Sequence, residues 1–172
     1  MFYNRKVASL AEIKKVTRPD TVLISVMHVN NETGAITDID SIAQYAQSKN
    51  ILFHVDAAQS AGKLHIDTAK IPVDMISVCA HKIYGPKGVG ALYVRKQAGL
   101  ILPAQIHGGE HEQGMRSGTL PTHQIVAIGA AFELASALID QEHDRLSEFK
   151  SLFLEKLMLH KNVLLNGSIE CS

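Results

Sequence analysis

Cysteine, charge imbalance and long apolar runs are all scarce in this chain, and each scarcity narrows what it can be. Its two cysteines, Cys79 and Cys171, lie far apart with no metal-type spacing. That excludes a disulfide framework and fits a reducing compartment, with cytoplasm as the expected location. Lysine plus arginine equals aspartate plus glutamate at 17 each, a net charge of zero. Such a balance offers no drive toward nucleic acid or an anionic membrane surface. No uninterrupted apolar run approaches the roughly 20 residues that a membrane helix requires. The start, Met1-Phe2-Tyr3-Asn4-Arg5-Lys6, lacks the apolar segment of an export signal. Repeats and low-complexity segments are missing too. What remains is a 172-residue chain of 18.7 kDa with 46% hydrophobic and 20% charged residues. That is a globular composition, enough for one ordinary domain with a sizeable core.

Patterning predicts strands alternating with helices. Residues 8–16 read as a short helix with Leu10 and Ile13 on one side. Val22–Val29 is nearly all apolar, as expected of a strand buried on both faces. Asn30-Asn31-Glu32-Thr33-Gly34 breaks it. Asp38 is a helix N-cap ahead of Ile39, Ile42, Ala43 and Ala46, which share one helical face. Strands follow at 51–55, 73–79 and 89–94. A glycine-rich loop at 107–118 leads to Pro121 and a helix over 121–139, with Ile125, Ile128, Phe132, Ala135 and Leu138 on one face. A further helix carries Leu146, Phe149, Phe153 and Leu157, expected to be core. An extended stretch at 162–167 follows. The α/β alternation predicts a mostly parallel sheet flanked by helices, with ligand groups gathered beyond the carboxyl ends of its strands.

Three such ends carry chemistry. Lys82 follows the run Ser77-Val78-Cys79-Ala80-His81 and precedes Gly85, Gly88 and Gly90. Apolar shelter at a strand end lowers a lysine's proton affinity and makes it a nucleophile. By position alone a solvated surface lysine is the commoner case. Its company shifts the balance, because Asp56 ends the neighbouring strand His54-Val55-Asp56. A lysine able to form a Schiff base and an acid for a ring nitrogen together fit pyridoxal 5'-phosphate. Gln59 donates to the ring oxygen if Asp56–Gln59 forms one turn, and Asn31 can serve similarly from the next strand end. Either residue alone reads equally as a turn former. Cys79 reads as a small buried hydrophobe near the same place. Cys171 shows no environment and reads as inert. The 107–118 loop mixes glycines with donors and can cradle a phosphate or simply be a loop. Its His107, Glu110 and His111 lack the helical context of a metal site, and no metal is expected.

With those residues in place, the chain resembles the cysteine desulfurases, pyridoxal-phosphate enzymes of the class V aminotransferase group. Four stretches carry the resemblance, in the family's order: Met27-His28-Val29-Asn30-Asn31-Glu32-Thr33-Gly34; His54-Val55-Asp56-Ala57-Ala58-Gln59-Ser60; His81-Lys82-Ile83-Tyr84-Gly85-Pro86-Lys87-Gly88-Val89-Gly90; and Gly114-Met115-Arg116-Ser117-Gly118-Thr119-Leu120-Pro121. The last two look like the iron–sulfur-assembly branch rather than the branch nearer to selenocysteine lyases.

The resemblance implies a transferase-like large domain over residues 1–120, incomplete, then linking helices over 121–160 and the start of a small domain at 161–172. It implies Lys82 as the cofactor lysine, Asp56 at the pyridine nitrogen, Gln59 and Asn31 at the ring, and Cys79 and His81 near the phosphate. Thr119 would reach the phosphate of the other subunit in a homodimer. The implied reaction takes sulfur from L-cysteine, leaving L-alanine and an enzyme persulfide. Iron–sulfur scaffold proteins and tRNA-thiolation partners would receive that sulfur. Two departures stand out. Cys79 occupies a position that is often serine in this branch, and a thiol is the weaker donor to phosphate. Family members are more than twice as long, and neither Cys79 nor Cys171 matches their persulfide-forming cysteine. Two other readings stay open: an inactive chain that binds cofactor or partner subunits at most, and a different class V enzyme such as an aminotransferase or selenocysteine lyase.

Overall fold

The computed structural model describes residues 8–96 and 102–163. Four strands form one sheet in the order β1-β2-β3-β4: β1 Leu23–Met27, β2 Leu52–Asp56, β3 Met75–Cys79 and β4 Gly90–Val94. The first three run parallel and β4 returns antiparallel to β3. Met27 pairs with Asp56, and Asp56 with Ser77, so β1 and β2 end level and β3 runs two residues further along the same edge, to Cys79. This mixed, mostly parallel sheet with helices is the predicted class.

Local sequence explains the helices. In α1 (Leu10–Val16) Ser9 and Glu12 cap each other: the Glu12 amide donates to Ser9 Oγ at 3.3 Å, and the Ser9 amide donates back to Glu12 Oε2 at 3.3 Å. In α2 (Ile39–Ser48) Asp38 takes the Ser41 amide at 3.1 Å and the Ser41 hydroxyl at 2.6 Å. All four residues predicted for its inner face, Ile39, Ile42, Ala43 and Ala46, are buried. They pack with Ile24, Phe53, Val55, Val73 and Ile76 into the main core. Each large side chain there contributes about 1.5–3 kcal/mol by leaving water.

Three expectations need correction. First, β1 is not buried on both faces. It lies at a sheet edge, with Ile24 buried but Leu23 and Ser25 exposed. Second, the two helices after Pro121 are one, α3, running from Thr122 to Leu157 over 36 residues and about 54 Å. The segment Asp140-Gln141-Glu142-His143-Asp144-Arg145 between the apolar stripes contains neither glycine nor proline, so nothing in it ends a helix. Third, the stripe expected to be core is open to solvent, with Leu146, Phe149 and Phe153 each at least 50% exposed.

By length and composition α3 is also long and apolar enough to cross a membrane, with an 18-residue window of mean hydropathy 1.4. The unbroken-run expectation missed it because Glu133 and Ser136 interrupt the apolar residues. A helix laying one face on a protein meets the same test. Of α3, Ile128 and Ile139 are buried. The extended stretch predicted at 162–167 lies largely outside the described residues, as does Cys171.

Candidate functional site

Beyond the carboxyl edge, each strand opens into a loop built by its own hydrogen bonds. After β1 the chain makes a small hairpin over residues 28–37. Val29 bridges Ile36, the Asn30 amide donates to the Ala35 carbonyl at 2.9 Å, and the Thr37 amide donates to the His28 carbonyl at 2.7 Å. Asn30 Oδ1 accepts from the Glu32 and Thr33 amides, both at 3.0 Å. Asn31 is exposed at the tip, donating from Nδ2 to Glu32 Oε1 at 2.8 Å.

After β2 the turn falls one residue later than the Asp56–Gln59 turn expected, over residues 57–61, with the Ser60 and Ala61 amides both donating to the Ala57 carbonyl. Asp56 Oδ1 accepts the Ala58 amide at 2.9 Å. One oxygen of the carboxylate therefore anchors the turn that presents Gln59. Cys79 fastens the same turn from β3, its Sγ donating to the Ala58 carbonyl at 3.8 Å. The half-buried thiol has a defined partner as well as a packing role.

After β3, the Ile83 and Gly85 amides both donate to the Ala80 carbonyl at 3.0 Å, bending the chain sharply at Lys82. Tyr84 sits in the left-handed region at φ 64°, uncommon for an aromatic residue, and its ring is 98% exposed. A Cβ on Gly85 would lie 2.9 Å from the Ala80 methyl and 3.2 Å from that of Ala131, so glycine lets this turn press onto α3. Gln124 of α3 ties the loop from the other side, donating to the Lys87 carbonyl at 3.0 Å.

The Lys82 turn, the Gln59 turn and α3 enclose an open cleft of about 920 Å³. Lys82 and Gln59 both line it, with Ile36, Ile83, Tyr84, Ala131 and Leu138 among the walls. Asn31, Asp56, Cys79 and His81 stand at the adjoining strand ends without lining it, and Thr119 lies in the loop that leads into α3. Lys82 is exposed, so the apolar shelter expected for it is partial. His107, Glu110, Gln113 and Ser117 line a separate hollow of about 580 Å³ in the glycine-rich loop. His111 leaves any metal role for a local one, its Nδ1 3.3 Å from the Gly118 amide. Among the described residues no group of three or more histidines, cysteines or acids could hold a metal ion.

Patterning missed two features at this edge. The far wall of the cleft comes from α3, some 50 residues along the chain, and no local signal announces it. His28, the first polar residue after the β1 run, is 6% exposed, and its Nδ1 has no hydrogen-bond partner. Burial pushes its pKa below the ordinary 6.5, while Asp40 pulls it partly back up.

Known proteins with this sequence and shape are consistent in kind. The chain is 51% identical over 162 residues to the cysteine desulfurase IscS of Tolumonas auensis and 52% identical over 161 residues to that of Methylobacillus flagellatus. Each match takes in 94% of this chain and 40% of the relative, so the chain spans well under half the length of the curated proteins it resembles. Among solved structures, a NifS-like protein superposes with a TM-score of 0.90 at 36% identity, over 98% of this chain and 46% of that one. DndA from Streptomyces lividans gives 0.86 at 35% identity, over 95% and 46%. Members of the class V group depend on pyridoxal phosphate. Residues 3–171 match the aminotransferase class-V family, and the chain belongs to that family.

Proposed function

We propose that this chain is part of a pyridoxal-phosphate-dependent cysteine desulfurase, which removes sulfur from L-cysteine to leave L-alanine and a protein-bound persulfide. The observation that carries the reading is the meeting of Lys82 and Gln59 in one cleft at the edge where β2 delivers Asp56. The donor set fits the cofactor. An exposed amine, a carboxylate with one oxygen left over from the Ala58 contact and a side-chain amide come from adjacent strand ends. When bound, the cofactor supplies an aldehyde for a lysine and a ring that draws electrons from the substrate Cα.

The chain's own residues do the rest. Lys82 Nζ would hold the cofactor and, as a free amine, would take and return the substrate Cα proton. Asp56 keeps a proton on the ring nitrogen through its second oxygen. The Asp56–Ala58 bond fixes the carboxylate, and the Cys79–Ala58 contact braces the turn beneath it. Gln59 and Asn31 serve the ring, and Cys79 and His81 the phosphate end. Thr119 reaches the other subunit's phosphate in a homodimer. We assign residues 1–120 to the large domain, 121–160 to the link and 161–172 to the start of the small domain. Sulfur acceptors would be iron–sulfur scaffold proteins and tRNA-thiolation partners, in the cytoplasm.

Neither cysteine matches the family's persulfide nucleophile, which favours a second reading for these 172 residues alone: cofactor binding without sulfur release. The test separates the two. Borohydride reduction of the protein with pyridoxal phosphate should place the label on Lys82 by peptide mass mapping, and Lys82→Ala should abolish it. Alanine release from L-cysteine should be undetectable from this chain. A label confined to other lysines defeats the site assignment, and alanine release defeats the second reading.

A further inference from the structure

His28 occupies a costly position. A buried ring nitrogen without a hydrogen bond carries a desolvation cost that an apolar side chain would avoid. The residue sits where three elements meet. Its amide donates to the Asp56 carbonyl at 2.9 Å, beyond the last β1–β2 register pair, and its carbonyl accepts the Thr37 amide at 2.7 Å, closing the hairpin that carries Asn31. The main chain of His28 is therefore the joint between the Asn31 hairpin and the end of the strand that delivers Asp56. The residue is 6% exposed there, with Nδ1 turned inward and unpartnered.

We propose that His28 is a proton-responsive positioning residue: uncharged, it seats the Asn31 hairpin against the end of β2, and on taking up a proton it releases that hairpin. An imidazolium with a buried, unpartnered Nδ1 is costly, so a proton draws the ring toward water and strains both main-chain bonds. The charged groups around it set the balance. From α2, Asp40 favours the proton. At the α2 N-cap, Asp38 is held by Ser41. From β2, Asp56 presents its main-chain carbonyl to His28 while its carboxylate takes the Ala58 amide. In the hairpin, Glu32 is engaged by Asn31. Burial outweighs Asp40, so the seated state belongs to the neutral ring. Its stabilisation is present above the ordinary histidine value of 6.5 and fades as pH falls below it.

The consequence for cofactor rests on the assignment of Asn31 above, whereas the hairpin's response does not. Amide hydrogen exchange reads the response without any cofactor. In the wild type, protection of the Asn30, Gly34 and Thr37 amides, corrected for intrinsic exchange, should fall roughly tenfold between about pH 7.5 and about pH 5.5. His28→Leu has no ring to take up a proton and should remove that loss. Wild-type protection that stays flat over this range, or a loss that persists in His28→Leu, overturns the proposal. Pyridoxal-phosphate titration at the two pH values then reads the consequence. Acidification should weaken wild-type binding at least about threefold more than binding by Asn31→Ala, and equal weakening breaks the link to Asn31. Failure to bind cofactor at all would sink the site assignment and leave the exchange result standing.

Discussion

Three glycines of this chain respond in opposite ways to the same added methyl group, and the differences can be worked out position by position. At Gly90, the first residue of β4, a Cβ would lie 2.6 Å from the Val78 carbonyl oxygen. Ordinary carbon–oxygen contact needs well over 3 Å, and the obstructing atom is backbone, so β3 and β4 must part by several tenths of an ångström. Crowding of this kind costs about 1–3 kcal/mol. Its effect falls on the strand that runs into Lys82. At Gly88 there is room, since the nearest atom is the Gln124 amide nitrogen at 3.4 Å, but φ is +86°. Alanine there pays for a left-handed backbone alone, about 1–2 kcal/mol. At Gly129, inside α3, nothing lies within 4 Å. There the methyl only restricts the unfolded chain and shields the helix, a gain of about 0.5–1 kcal/mol. Urea denaturation followed by circular dichroism should therefore rank the variants Gly129→Ala, wild type, Gly88→Ala, Gly90→Ala. If Gly90→Ala proves as stable as Gly129→Ala, β3 and β4 are not packed as described, and the placement of Lys82 loses its support.

Two further substitutions test the site and its foundation. Cys79→Ser replaces a weak donor with a hydroxyl, so pyridoxal-phosphate affinity should rise modestly, by about two- to fivefold in an absorbance titration; equal affinities would show that position 79 does not serve the phosphate. Asp38→Ala should destabilise the chain by about 1 kcal/mol at neutral pH through loss of the α2 cap. The Ser41 hydrogen bonds hold the Asp38 carboxyl below the ordinary 3.8. Its contribution is therefore full above that value and lost as pH falls through the lowered one, so the gap between wild type and variant in thermal melts should narrow only in strong acid; a gap already closed at about pH 5 would assign the cap to another group.

How legible this chain is from its sequence depends on whether a feature is local. Asp38 and the 39, 42, 43, 46 spacing predict α2 and its buried face, because a cap and a 3.6-residue period are properties of neighbouring residues. All four strands lie within a residue or two of their predicted bounds for the same reason. Burial on both sides of β1 is not local. It depends on what lies beyond the edge of the sheet, and a continuous apolar run reads alike whether that edge is covered or open. The break predicted in α3 had a related cause. A polar segment between two apolar stripes suggests two helices, but residues 140–145 contain neither glycine nor proline and the helix runs through them.

The site divides along the same line. Asp56, Cys79 and Lys82 can be nominated from sequence because a strand end is where a parallel sheet offers its side chains to a ligand, and the register of β1, β2 and β3 brings separate sequence positions to one edge. The Ala58 carbonyl and amide then join Asp56 to Cys79 through a single turn, which no spacing rule announces. Nor does any announce that α3 closes the cleft around Lys82. That contact depends on glycine at 85 against Ala80 and Ala131, and on glycine at 62 against Ala135 and Ile83. Small residues facing small residues let a helix and two turns approach closely, so the cleft's far wall is specified by what the chain omits at four distant positions. The apolar residues that α3 leaves in solvent, Val126, Leu134 and Phe153 among them, carry the same logic outward. Leu134 also lines the cleft, so α3 walls it with leucines as well as alanines, and the apolar residues it leaves in solvent beyond the cleft are surface of the kind that assembled proteins cover.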